Sequence, residues 1–272
     1  MTFQADDHVY QTPGGVPLLG RLYRPDGPGP FPAVLEVHGG AWTSGDRLNN
    51  VAIAESLAAD RIIVLSIDFR MPPVAGYPDT VADVNLGIRW LKSRVAEFGG
   101  RPDLVGGLGT SSGGHLLLLS ALRPRDPRYT VLPLAGSTAD ASLAFAVACW
   151  PVADPLTRYQ VMRERGNDRL VAAHDQFWPS EAEMEDANPT RILERGESVA
   201  KPPVLIMQGT ADTNLTSDMA DRFAAAYARA GGSITKEIFP GQPHAFIPNA
   251  PAAPDSLRAL EMIKAFIHQH CG

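Results

Sequence analysis

A chain of 272 residues, 44% of them hydrophobic, is long enough for one large α/β domain with a sizeable core. Its 24 basic and 30 acidic residues leave a formal charge of −6 with no basic run, which argues against a nucleic-acid partner. Two cysteines are too few for a disulfide framework, no 18-residue apolar stretch offers a membrane span, and the acidic start MTFQADDHVY lacks a secretory apolar segment, so a cytoplasmic location is expected.

In chain order, Val9-Tyr10 and residues 18–23 flank Pro13-Gly14-Gly15, the composition of a hairpin at a sheet edge. A proline-glycine loop (25–32) delivers AVLEVH (33–38), which reads as a buried strand, and IIVLSID (62–68) is a second, rich in β-branched residues. Between them Val51, Ile53, Ala54, Leu57 and Ala58 fall at helical spacing. Residues 78–98 set Val81, Val84, Ile88, Leu91 and Val95 on one stripe, which predicts a long amphipathic helix. LVGGLGTSSGGHLLLLSAL (104–122) reads as an apolar strand running straight into an apolar helix. Residues 143–150, 204–208 and 234–239 complete the strands, and 216–230 and 256–270 complete the helices. The alternation predicts a mostly parallel sheet covered on both faces, with its site at the carboxyl ends of the strands.

Residues 151–202 break that rhythm. They hold short helical fragments at 159–164, 180–185 and 190–194 and no convincing strand. A structureless connection of that length does not suit a compact domain, so a small helical cap over the site is expected within a single domain spanning 1–272. An ordinary surface insertion without substrate contact is the alternative.

The chemistry centres on Gly109-Thr110-Ser111-Ser112-Gly113, a G-x-S-x-G at a strand-to-helix turn. A serine held at so sharp a turn tolerates no bulk two positions away, and Gly109 and Gly113 supply none. A serine hydroxyl needs a base to take its proton, and the base needs orienting. Among seven histidines, His244 follows a strand and the turn Pro240-Gly241-Gln242-Pro243; His115 sits in the helix after Ser111 and reads as structural. Asp212 follows the strand 204–208, and Asp154, also beyond a strand end, is its rival as the orienting acid. Ser111, Asp212 and His244 then occur in the chain order expected of α/β-hydrolases. His38-Gly39-Gly40-Ala41-Trp42 directly follows the first buried strand, where small residues let backbone N–H groups approach an oxyanion. Trp42, Trp150, Trp178 and Phe246 lie beside these motifs or in the expected cap and are candidate pocket residues. No ligand spacing such as H-E-x-x-H is present, and no metal or cofactor is implied.

Together HGGAW, GTSSGG, the aspartate of GTAD and the histidine of PHAF resemble the hormone-sensitive-lipase-like carboxylesterases and the related acetyl esterases of the α/β-hydrolase superfamily. Asp68-Phe69-Arg70, followed by Pro72, Pro73 and Tyr77-Pro78, is similar to the D-Y-R-x-x-P segment of those enzymes. The resemblance implies that Ser111 is the nucleophile, His244 the base and Asp212 its acid, with the N–H groups of Gly40, Ala41 and Ser112 as oxyanion donors. Ala41 stands where the family carries a third glycine, and Ala245 where it carries one after the histidine. The implied activity is hydrolysis of small to medium carboxylic esters through an acyl-enzyme. The alternatives are an amide-cleaving relative, of the arylformamidase or acylaminoacyl-peptidase kind, and a non-catalytic receptor on the same fold. The implied partner is a small-molecule ester; the oligomeric state is left open, with a homodimer compatible.

Overall fold

The computed structural model describes residues 2–271. The chain opens with the hairpin β1 (Phe3–Gln11) and β2 (Leu18–Pro25), then runs through β3 (Phe31–Val37), α1 (Val51–Ala59), β4 (Ile63–Ile67) and α2 (Asp79–Arg94). β5 (Gly100–Thr110) passes directly into α3 (Ser111–Leu122). β6 (Ala146–Cys149) precedes four short helices, α4 (Pro155–Glu164), α5 (Asp168–Phe177), α6 (Glu181–Asp186) and α7 (Pro189–Glu194). β7 (Val204–Gly209), α8 (Met219–Arg229), β8 (Ile234–Phe239), α9 (Phe246–Asn249) and α10 (Pro254–Gln269) finish the chain.

The strands form one sheet in the order β1-β2-β4-β3-β5-β6-β7-β8, and from β4 to β8 every pairing is parallel. β2 pairs antiparallel with both β1 and β4. Residues of β4, β6 and β7 are buried throughout, as parallel strands covered on both faces require. Helices α2, α3, α7 and α8 pack against one another along one face, while α1, α9 and α10 associate on the other. α3 is buried on all sides, which suits a sequence apolar all round rather than along a stripe.

The long helix expected over 78–98 ends at Arg94 and tightens into a 3₁₀ turn, Val95–Phe98, that closes on a left-handed Gly99. The segment between β6 and β7 holds four helices where three fragments were expected. Each begins on a side chain that accepts a hydrogen bond from its first turn: Asp154, Asn167, Ser180 and Asn188. Caps of this kind are what allow helices of six to ten residues to form. No helix among the described residues is long and apolar enough to cross a membrane.

Candidate active site

β5 and α3 meet without a connecting loop, and Ser111, the first helical residue, takes a left-handed φ of 52°. Such a conformation costs a non-glycine residue about 1–2 kcal/mol, so the surroundings must hold it. A Cβ on Gly113 would collide with the carbonyl oxygens of Val37 and His38 at the end of β3. One on Gly109 would lie 2.6 Å from the Gly113 carbonyl oxygen. The two glycines let the turn close against the neighbouring strand, which pins the serine at the sheet edge.

The ends of β7 and β8 are stitched to each other at the same edge. Thr210 donates its amide to the Phe239 carbonyl, Ala211 to that of Gln242, and Gly241 to the Thr210 hydroxyl (2.8 Å). This brings Asp212 and His244 together. The Ser111 hydroxyl lies 2.9 Å from His244 Nε2 and can donate to it, while His244 Nδ1 donates to Asp212 Oδ2 at 2.7 Å. The other Asp212 oxygen accepts from the amides of Asn214 (2.8 Å) and Leu215 (3.1 Å). The carboxylate is therefore buried with acceptors filled, and it defines which imidazole nitrogen carries the proton. A serine hydroxyl hydrogen-bonded to an imidazole that a carboxylate orients is the arrangement for nucleophilic attack on an acyl carbon.

Asp154 is occupied elsewhere. It caps α4 through Thr157, accepts from Asn188 Nδ2 (2.7 Å) and faces Arg222 at 3.1 Å. His115 is buried between the Trp42 indole N–H, which its Nδ1 accepts (3.3 Å), and the Ala187 carbonyl, to which its Nε2 donates (2.9 Å). Burial pulls its pKa down to about 4, so it stays neutral.

The turn after β3 runs past Ser111. Gly40, Ala41 and Trp42 all have positive φ (112°, 53° and 63°), two of them without the freedom of glycine. Among the described residues the Gly40 and Ala41 amides donate to no protein acceptor, and the first-turn amide of Ser112 has no carbonyl ahead of it within α3. Trp42 is turned away: its amide donates to Ser112 Oγ (3.1 Å), a link the sequence did not reveal.

A cavity of about 290 Å³ opens over these groups, lined by Gly40, Ala41, Ser111, Trp150 and His244. Arg158 of α4 and Arg169 and Leu170 of α5 line it from the helical segment. Of the expected pocket residues only Trp150 is there. Trp42 and Trp178 instead belong to a buried aromatic cluster: Trp42 stacks on Phe177 (5.1 Å), and Trp178 meets Trp42 (5.8 Å), Tyr77 (5.1 Å) and His115 (5.3 Å). Phe246 packs beneath the site on Trp150 (5.1 Å) and Phe239 (4.9 Å). Large aromatics beside a site gain more by burial than by lining a wet cavity. The lining residues on α5 lie in a helix outside the three expected fragments, although Leu170, Ala173, His174 and Phe177 stand at helical spacing.

A model of the BD-FAE family matches residues 21–227. Esterase LipC of Mycobacterium tuberculosis is 30% identical over 227 residues, covering 80% of this chain and 53% of its own length. The probable carboxylic ester hydrolase LipM of the same organism is 29% identical over 253 residues, 90% of this chain and 57% of its own. The chain therefore spans about half the length of the curated relatives it matches. Among solved structures, Thermogutta terrifontis esterase 2 with propionate bound superposes with a TM-score of 0.78 at 25% identity, over 97% of this chain and 94% of that one. The architecture is that of the α/β-hydrolase esterases.

Proposed function

This chain belongs to the BD-FAE family, and from that membership we propose that it is a serine carboxylesterase for small esters, working through an acyl-enzyme. The observation that carries the reading is the continuous relay from Ser111 Oγ through His244 to Asp212, at 2.9 and 2.7 Å. Similarity to proteins named esterase and carboxylic ester hydrolase, and to a structure with propionate bound, supports it.

In the proposed course, Ser111 attacks the ester carbonyl while His244 Nε2 takes the hydroxyl proton. The carbonyl oxygen becomes an oxyanion facing the amides of Gly40, Ala41 and Ser112, an interaction of several kcal/mol realised only as charge develops. Collapse breaks the ester C–O bond, and His244 returns the proton to the departing alcohol. Water then repeats the attack on the acyl-serine, losing its proton to His244; collapse breaks the acyl–Oγ bond, His244 returns the proton to Ser111 Oγ, and the acid leaves. Asp212 holds the imidazole in the required tautomer and stabilises the imidazolium that forms in each half. The 290 Å³ cavity suits short acyl and alcohol parts. Residues 155–194, which bring Arg158, Arg169 and Leu170 to that cavity, are proposed as the part that sets substrate choice.

The test is hydrolysis of 4-nitrophenyl esters of increasing chain length beside formanilides and anilides, with paraoxon labelling mapped by mass spectrometry. Labelling at Ser111, ester turnover, and a fall of about 10⁴–10⁶-fold in kcat for Ser111→Ala are expected. A label on another residue, or a fully active Ser111→Ala enzyme, would overturn the assignment.

A further inference from the structure

Arg158 is a buried cation at the cavity that the proposed chemistry does not use. The residue is 1% exposed, and its Nε and Nη1 are sealed from solvent with no hydrogen-bond acceptor among the described residues. Its guanidinium carbon sits 5.3 Å from the Trp42 ring centroid, and no carboxylate pairs with it among the described residues. The molecule satisfies its other inward-facing guanidiniums: Arg70 meets Asp83 (2.8 Å), Arg123 meets Glu197 (2.6 Å), and Arg89 donates to Asn85 (2.9 Å) and the Leu132 carbonyl (2.8 Å). A cation out of water without a partner is costly. Burial lowers the pKa of Arg158 to about 10, which still leaves it charged at neutral pH.

Its position suggests where the partner comes from. Arg158 lines the cavity over Ser111, Arg169 lines it from the next helix, and no aspartate or glutamate does. A chain of net charge −6 thus keeps two arginines and no acid at this cavity. The nearest candidate within the protein, Asp212, is already engaged by His244, Asn214 and Leu215.

We propose that the cavity takes esters that carry a carboxylate, held by Arg158 with help from Arg169 while the ester carbonyl lies at Ser111. This rests on the esterase reading above. A carboxylate accepts only, so it is the complement of a guanidinium whose N–H groups have no acceptor in the protein. The cavity is small, which restricts the class to compact compounds: half-esters of short dicarboxylic acids, or short acyl esters of small hydroxy acids. The two differ in whether the carboxylate travels with the acyl or the alcohol part.

Two matched pairs of substrates separate them. Mono(4-nitrophenyl) glutarate is compared with 4-nitrophenyl pentanoate for the acyl side, and 4-acetoxybenzoate with phenyl acetate for the alcohol side. The charged member of one pair should be preferred by about tenfold or more in kcat/KM, as a charge-assisted hydrogen bond implies. Arg158→Gln should collapse that ratio, chiefly through KM of the charged substrate, and Arg158→Lys should restore part of it. Preference for the neutral member in both pairs would overturn the proposal. So would an Arg158→Gln enzyme slowed on both members by one common factor, the signature of a cation that merely supports Asp212 or packs on Trp42. Calorimetric titration of the unmodified protein with glutarate and with glutaramide needs neither a variant nor turnover. Equal affinity for the two would sink the anion site even if paraoxon labels Ser111. Selective glutarate binding without labelling or ester turnover would instead keep the anion site and remove the esterase reading.

Discussion

Ser112 joins the two backbone segments that would face an oxyanion. Its hydroxyl, at the head of α3, accepts from the Trp42 amide in the turn after β3, and both residues are fully buried. Ser112→Ala leaves that amide unpaired, which costs about 1–3 kcal/mol, and loosens a turn already strained at Ala41 and Trp42. The expected outcome is lower denaturant stability together with one common loss of kcat on every ester; wild-type values of both would show that the link is dispensable. Glu36 is a second residue whose burial has a measurable consequence. It lies in β3 with Asn50 donating to it at 2.6 Å, and Asn50 also donates to Thr110 (3.0 Å) beside Ser111. Burial raises its pKa from 4.5 to about 7. An acid whose folded pKa is raised contributes its full stability below the unfolded value and loses it as pH rises through the folded one. The contribution of Glu36 is therefore present below about pH 4.5 and lost by about pH 7, a swing of roughly 3 kcal/mol at most. Unfolding free energies of Glu36→Gln and wild type, measured across that window, should diverge in favour of the variant as pH rises. Parallel curves would mean that the carboxyl is not carried neutral into the fold.

At the level of elements, what could be read from the sequence was whatever local pattern decides. The buried runs of β3 and β4, the Pro-Gly hairpin and the strand-to-helix turn at Ser111 each announce themselves through composition. The positions of Ser111, Asp212 and His244 beyond strand ends were equally legible, because a parallel sheet sends all such ends to one edge. The inner face of the 155–194 helices was not. Phe177-Trp178, followed by Pro-Ser-Glu, carries no sign of which side it faces, and only packing against Trp42 and Tyr77 decides that it turns inward. Trp178 is 4% exposed and does not line the cavity. Trp178→Ala should thus cost about 3–5 kcal/mol and leave the chain-length profile of ester hydrolysis unchanged. Leu170, in the first turn of α5, the helix that Trp178 follows, is in the cavity wall and should alter the profile. Leu170→Trp should fill acyl or alcohol space and shift kcat/KM towards the shortest esters, at a stability cost of about 1–3 kcal/mol because Leu170 is itself buried. A shifted profile for the Trp178 variant, or an unshifted one for Leu170→Trp, would reverse the roles given to these two side chains.

Across the whole molecule, the site depends on three strand ends staying in register, since 133 residues separate Ser111 from His244. β5 supplies the serine, β7 the aspartate and β8 the histidine, and β8 is an edge strand, paired with β7 alone among the described residues. The turn that carries His244 is held on one side by the end of β7, where Gly209 lies against it, and on the other by Asp255, to which Gln242 donates (2.7 Å). A Cβ on Gly209 would run into the Gln242 carbonyl, two residues from His244, and the Ala211 amide donates to that same carbonyl (3.0 Å). Backbone cannot rotate aside as a long side chain can, so Gly209→Ala should push the 240–245 turn outward. A misplacement near 1 Å at a reacting group is worth about 10²-fold in rate. The expected result is a drop of tenfold or more in kcat and in the paraoxon labelling rate, with Ser111, Asp212 and His244 all intact in sequence. Gly196→Ala is the control. Gly196 follows α7 with a left-handed φ of 71° and open space around it, so alanine there meets strain but no collision. That change should lower stability by about 1 kcal/mol and leave kcat alone. If the two variants lose stability equally and neither loses kcat, the register of β7 with β8 does not govern the position of His244.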